Sequence, residues 1–329
     1  MAKAQKNVHA ASHGAAKRDA EKASQVPSRK VSQKAALPKS NLPLTQRKLK
    51  TQGGTIFYWT TPAVTGAPWL IFLPGLSANH ALFDAQLEHF SGRYNCLVWD
   101  APSHGQSRPF RLDWTLEDLA GYLHAIVEEN NITKPVLIGH SYGGYVAQAY
   151  MARYPYTVTG FVSIDSGPLE RRFYKDWELW LLRHTYGMYN AIPWNMLVKW
   201  GSEKNSTTKS GQLQMRMLME SYQKMRYVDL LSHAYTVLEA AVQQSDCRGG
   251  KSIPTLFLCG EKDEAGFVRR YNAEWASAEG FPIHWIVGAG HNSMVDRPRD
   301  VNTFIDSFLE NLKLGAHARH PSRRSRDYF

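Results

Sequence analysis

The stretch PVLIGHSYGGYVAQAYMAR (135–153) decides how the rest of the chain is read. Its first residues, Pro135 to Gly139, form a short apolar run of strand type, and from Tyr142 onward the chain reads as a helix. Between them stands Ser141, with Gly139 on one side and Gly143 and Gly144 on the other. Such a turn brings backbone and neighbouring elements too close for side chains. It is poor material for a core and good material for holding a hydroxyl above the edge of a sheet. Its place at a helix start also sets free N–H groups beside the hydroxyl.

Working outward, the same alternation continues in both directions. TIFYWT (55–60), WLIFLPG (69–75), NCLVWD (95–100), VTGFVSID (158–165), PTLFLCG (254–260) and PIHWIVG (282–288) read as strands. Helical stretches are expected near 80–90, 115–130, 142–153, 267–279 and 298–313. Thr115 with Glu117 and Asp118 is a helix start, because a hydroxyl cap and acids suit the free amides of a first turn. Short apolar strands alternating with helices predict an α/β fold with a mostly parallel sheet and helices on both faces.

Residues 168–250 interrupt the alternation. They read as helical and carry Trp177, Trp180, Trp194 and Trp200 among ten tryptophans, and Met188, Met196, Met215, Met217, Met219 and Met225 among nine methionines. Inserted between two strands, this segment is expected to cap the carboxyl end of the sheet, where open α/β sheets bind ligands. Most of these side chains are expected to form the core of the cap, and a minority to line an apolar pocket.

The chain has 329 residues and a formal charge of +10. Residues 1–50 hold twelve Lys or Arg and two Asp or Glu, and residues 315–329 hold four Arg and one Asp. Subtracting these two segments from the total leaves about −3 for the body, so the basicity belongs to the ends. The resulting plan is a disordered basic tail over 1–50, a core over 51–167 and 251–314, a helical cap over 168–250, and a basic tail over 315–329. The tails are expected to be solvated, and nucleic-acid binding is not expected because no aromatic side chain is interleaved with the lysines. Cys96, Cys247 and Cys259 are odd in number and widely spaced, which suggests neither a disulfide framework nor a metal cage. No secretory leader and no run long enough to span a membrane is visible, so a cytoplasmic location is expected.

A serine hydroxyl is a weak nucleophile and needs a base, which in turn needs an orienting acid. After a serine elbow the chain order is expected to be Ser, acid, His. GEKDEAG (260–266) and GAGHNS (288–293) both follow strands, which brings Asp263 and His291 to the same sheet edge as Ser141. Asp165, at the end of an earlier strand, is the alternative acid. His140 is expected to support the elbow, His104 to order its loop and His284 to be structural. Asp100 and Asp296 are expected to order or cap loops. The developing oxyanion needs donors, which are assigned to the N–H groups of Tyr142 and Leu76.

Over about residues 54–313 the chain resembles the α/β-hydrolase superfamily. The matching pieces are LPGLSAN, DAPSHGQS, GHSYGG, GEKD and GAGHNS. The resemblance implies an eight-stranded sheet with a helical cap and a Ser-Asp-His hydrolase that requires no metal or cofactor. Two departures stand out. Pro74-Gly75 replaces the His-Gly common in the oxyanion loop, and Pro102-Ser103-His104-Gly105 replaces a common Gly-His-Gly. A serine nucleophile does not favour dehalogenase or epoxide hydrolase chemistry. The expected substrate is a small or medium apolar carboxylic ester. C–C bond or amide hydrolysis, a cofactorless lyase step, or a non-catalytic small-molecule receptor are the alternatives. Oligomeric state is left open.

Overall fold

The computed structural model describes residues 42–244 and 253–314. The tail segments 1–41 and 315–329 assigned from the sequence, together with residues 245–252, lie outside them.

Eight strands form one sheet: β1 (Thr45–Lys50), β2 (Thr55–Thr60), β3 (Trp69–Leu73), β4 (Asn95–Trp99), β5 (Val136–His140), β6 (Gly160–Ile164), β7 (Thr255–Gly260) and β8 (Ile283–Ile286). Their order is β1-β2-β4-β3-β5-β6-β7-β8. β1 and β2 run antiparallel to their neighbours, and from β4 to β8 every pairing is parallel. Strands β4, β5 and β6 are buried at every residue, which is why they read as unbroken apolar runs rather than alternating ones.

Helices α1 (Asp84–Phe90), α2 (Leu116–Glu129), α3 (Tyr142–Arg153), α9 (Val268–Glu279), α10 (Ser293–Asp296) and α11 (Pro298–Asn311) follow strands of this sheet. The start of α2 carries a capping box: Thr115 Oγ1 accepts from the Asp118 amide at 3.1 Å, and the Thr115 amide donates to the Asp118 carboxylate at 2.9 Å. Its apolar stripe, Leu116, Leu119, Leu123 and Ile126, is fully buried.

β1 corrects the expected tail. Disorder is expected to residue 50, yet Thr45–Lys50 pair with Thr55–Thr60 in full register. TQRKLK shows no strand-like burial, and its side chains are almost all exposed. It is ordered chiefly by backbone hydrogen bonds to β2, with Leu49 alone of its side chains packed against the core. Charged side chains on such a border strand oppose edge-to-edge aggregation.

Between β6 and β7 the chain forms α4 (Asp176–Arg183), α5 (Thr185–Ala191), α6 (Trp194–Asn205), α7 (Lys209–Glu220) and α8 (Lys224–Gln244). These helices sit on the loops at the carboxyl ends of the strands. Gln214 donates to the Ala81 carbonyl at 3.0 Å, His233 Nε2 to the Trp114 carbonyl at 2.9 Å, and Tyr142 Oη to the Ala234 carbonyl at 3.1 Å. The backbone N–H of Asn292 donates to the Asn205 carbonyl at 2.7 Å. The helical insertion is therefore a cap over the sheet edge that carries Ser141.

Candidate active site

β5 ends at His140 and α3 begins at Tyr142, so one residue makes the turn. That residue, Ser141, has φ 49° and ψ −119°, a conformation rarely adopted by side-chain-bearing residues. The turn is held by its neighbours. The Ser141 amide donates to the Ile164 carbonyl at 2.9 Å, and Ser166 Oγ donates to the Ser141 carbonyl at 2.7 Å. A side chain on Gly139 would lie 2.6 Å from the Gly144 Cα, and one on Gly143 would collide with the Leu73 carbonyl. Glycine is required at both positions by close approach.

The two downstream loops converge on this turn. Ser141 Oγ lies 2.8 Å from His291 Nε2, and His291 Nδ1 lies 2.9 Å from Asp263 Oδ2. His291 and Asp263 are buried, whereas Ser141 keeps some exposed surface. The Ala265 amide donates to the other Asp263 oxygen at 2.8 Å, which fixes the carboxylate plane. Asp165 does not face the imidazole nitrogen. Its oxygens accept from the Gly260 amide at 2.6 Å and the Ser293 amide at 3.0 Å.

Burial by itself would make the His291 imidazole less basic. The charge and hydrogen bond of Asp263, joined by the charge of Asp165, outweigh it and raise the pKa above the ordinary 6.5. Burial, followed by the charge of Asp263, pushes Asp165 up to about 7. His140 goes the other way: burial, followed by the charge of His291, holds it well below 6.5, so it stays neutral.

His140 Nε2 donates to the His291 carbonyl at 2.9 Å, so this histidine braces the loop of His291 as well as flanking the elbow. His104 is buried with Nδ1 against the Pro102 carbonyl at 2.9 Å, and burial pushes its pKa down to about 4. His284 lies in β8, with its ring 4.6 Å from that of Phe304. Asp100 orders the loop after β4 by accepting from the His80 and Gln106 amides, both at 2.7 Å.

Above the hydroxyl, the loop after β3 comes close. A side chain on Gly75 would lie 3.0 Å from the Ser141 Cβ and 2.7 Å from His140 Nδ1. Among the described residues, the amides of Leu76 and Tyr142 donate to no other group. Both stand beside the elbow, one in the loop that covers it and one in the first turn of α3.

The cap differs from expectation. Trp177, Trp180, Met188, Met196, Trp200, Met217 and Met225 are exposed, and only Met215 and Met219 of the Trp and Met set are fully buried. The outward faces of the cap helices retain these side chains. Tyrosines take the inner positions. Tyr227 is buried, Tyr189 and Tyr235 stack at 6.5 Å, and Tyr235 lies near enough to Tyr145 of α3 for their phenols to influence each other. These tyrosines carried no distinguishing spacing in the sequence.

Asp296 orders loops, as expected, and does so across two segments of the chain. It accepts from the Thr207 and Gly290 amides at 2.8 and 2.9 Å, and from the Thr208 amide at 3.0 Å. One carboxylate thus ties the cap to the loop of His291. Asp165, Cys259 and Asp263 offer potential ligand atoms within 4.8 Å of one another. Both oxygens of each carboxylate already accept hydrogen bonds within the protein, and burial, with both carboxylates beside it, pushes the Cys259 thiol pKa up. Among the described residues, no helix is long and apolar enough to cross a membrane.

The chain is 26% identical over 277 residues to the 2-succinyl-6-hydroxy-2,4-cyclohexadiene-1-carboxylate synthase of Citrobacter koseri, covering 76% of this chain and 95% of that one. Its fold matches the Cif epoxide hydrolase of Acinetobacter nosocomialis at TM-score 0.69 and 14% identity, over 83% of this chain and 90% of that one. It matches the thermophilic esterase of Thermogutta terrifontis at TM-score 0.63 and 20% identity, over 82% and 99%. Residues 68–298 match the family model of the alpha/beta hydrolase fold. With that match spanning most of the chain, and with the sheet order and capped elbow described above, the protein belongs to the α/β-hydrolase family.

Proposed function

We propose that this α/β hydrolase is a serine enzyme that cleaves small to medium carboxylic esters with an apolar or aromatic part. The observation that carries the reading is the continuous hydrogen-bonded line Ser141 Oγ–His291–Asp263 beneath two free amides. In this reading Asp263 fixes the imidazole with its proton on Nδ1, leaving Nε2 to take the proton of Ser141. The alkoxide attacks the ester carbonyl, and the N–H groups of Leu76 and Tyr142 stabilise the oxyanion. His291 then protonates the departing alcohol, and afterwards activates water to release the acid. Rings on the inner side of the cap, Tyr189, Tyr227 and Tyr235, support an apolar or aromatic substrate part better than the outward Trp and Met side chains do.

The test is a chain-length series of p-nitrophenyl esters on the wild type and Ser141→Ala. The wild type is expected to turn over the shorter members, and the variant to lose at least about a thousandfold in kcat. Undiminished turnover by Ser141→Ala would refute the nucleophile assignment.

A second reading has one specific support, the similarity over nearly the whole of a relative named as a synthase rather than a hydrolase. It places a lyase or C–C step on the same three residues. Diketone and amide substrates run beside the esters separate the two readings by which class gives the higher kcat/KM.

A further inference from the structure

Asp165 sits where a carboxylate is costly. It is fully buried at the end of β6. Its backbone φ is +47°, a left-handed conformation that a side-chain-bearing residue keeps only where its surroundings over-determine it. A second carboxylate, Asp263, and the Cys259 thiol lie within 4.8 Å of its own oxygen. A buried negative charge beside another is strongly disfavoured unless something compensates it.

The compensation comes from two separate loops. One oxygen accepts from Gly260, three residues before Asp263, and the other from Ser293, two residues after His291. Only a carboxylate presents an acceptor on each side. An asparagine would turn an NH2 group against one of the two amides.

We propose that Asp165 is a positioning residue: its carboxylate clamps the loop of Asp263 to the loop of His291, and its charge adds to that of Asp263 around the imidazole. The proposal rests on Ser141, Asp263 and His291 working as a triad. The titratable groups that face this centre are Asp263 and Cys259 on β7 and its following loop, His291 on the last loop and His140 on β5, with Arg269 of α9 acting on Cys259. Because burial and Asp263 hold the Asp165 pKa near neutrality, the charge on this residue changes within the working pH range. When it is ionised, it favours the imidazolium and makes His291 a stronger base.

The experiment follows the rate at which a fluorophosphonate labels Ser141, between about pH 5 and 9. It compares the wild type, Ser141→Ala and Asp165→Asn. The wild type is expected to label and Ser141→Ala to remain unlabelled. Asp165→Asn is expected to label about 10- to 100-fold more slowly, with the acid limb of its profile moved about one unit toward lower pH. A merely structural residue would slow labelling without moving that limb, so an unmoved limb overturns the proposal. So does a limb displaced to higher pH. Should Asp165→Asn fail to fold, the low-field Nδ1 proton of His291 is titrated by NMR in the wild type. Two inflections are expected, one from the imidazole and one from Asp165, and a single inflection overturns the proposal. A wild type that does not label removes the triad reading itself, whereas a labelling wild type with an unmoved variant limb removes Asp165 alone.

Discussion

The rings of His140 and His291 lie 5.0 Å apart, and His140 Nε2 donates to the His291 carbonyl. His140 thus holds the backbone of His291, although the two are far apart in the chain. His140→Ala would leave that buried carbonyl without its donor, a loss of about 1–3 kcal/mol of stability. If the base loop loosens as a result, kcat falls about tenfold, equivalent to about 1.4 kcal/mol of barrier. Urea unfolding and steady-state kinetics of the variant measure both. A variant with wild-type kcat would show that the base is held by other contacts.

The pH dependence has a defined sign. In the proposed mechanism His291 must be neutral to accept the Ser141 proton, and its pKa is raised above 6.5. Activity is therefore expected to rise with pH through a midpoint above 6.5. The same shift contributes stability that is present below the unfolded value and lost as pH rises through the folded one. A kcat/KM profile with its acid limb below 6.5 would contradict this electrostatic picture.

Asp296 joins the cap to the loop of His291. Burial opposes its charge, but hydrogen bonds from Ser206, Thr207, Gly290 and Thr208 outweigh it and hold its pKa below the usual 3.8. Its contribution to stability is present above that value and lost as pH falls through the folded one. Asp296→Asn cannot accept all these bonds, and at pH 7 should cost about 2–3 kcal/mol. Limited proteolysis should then cut the cap helices faster. Unchanged cleavage would show that this carboxylate does not hold the cap.

Away from the site, Thr115→Ala removes the cap of α2. The expected cost is about 1 kcal/mol, read as a lower urea midpoint, with kcat unchanged because Thr115 is exposed and does not touch the triad. A midpoint equal to that of the wild type would mean that the capping box contributes nothing measurable.

Strand β1 offers a direct comparison between two shortened chains. One that begins at residue 42 keeps Thr45–Lys50, and one that begins at 51 leaves β2 as an unpaired border with Ile56, Tyr58 and Trp59 behind it. The shorter chain is expected to aggregate more readily, as measured by light scattering. Equal scattering would mean that β1 does not protect the edge.

What the sequence determined was local. Apolar runs marked seven of the eight strands, most plainly the parallel strands β4, β5 and β6, which are buried at every residue. GHSYGG marked the elbow, because its close approaches admit only glycine. Thr115 with Asp118 marked a helix start, because a cap lies within four residues of what it satisfies. β1 escaped notice because its order comes chiefly from hydrogen bonds to a neighbouring strand, and five of its six side chains are exposed. Tertiary structure alone decided which carboxylate meets the imidazole. Asp165 and Asp263 both end strands at the same edge, and only the packing of their loops turns one toward His291 and the other toward two backbone amides. It also decided the fate of the cap aromatics. Composition says that Trp and Met are present, whereas the face a short helix buries depends on what it packs against.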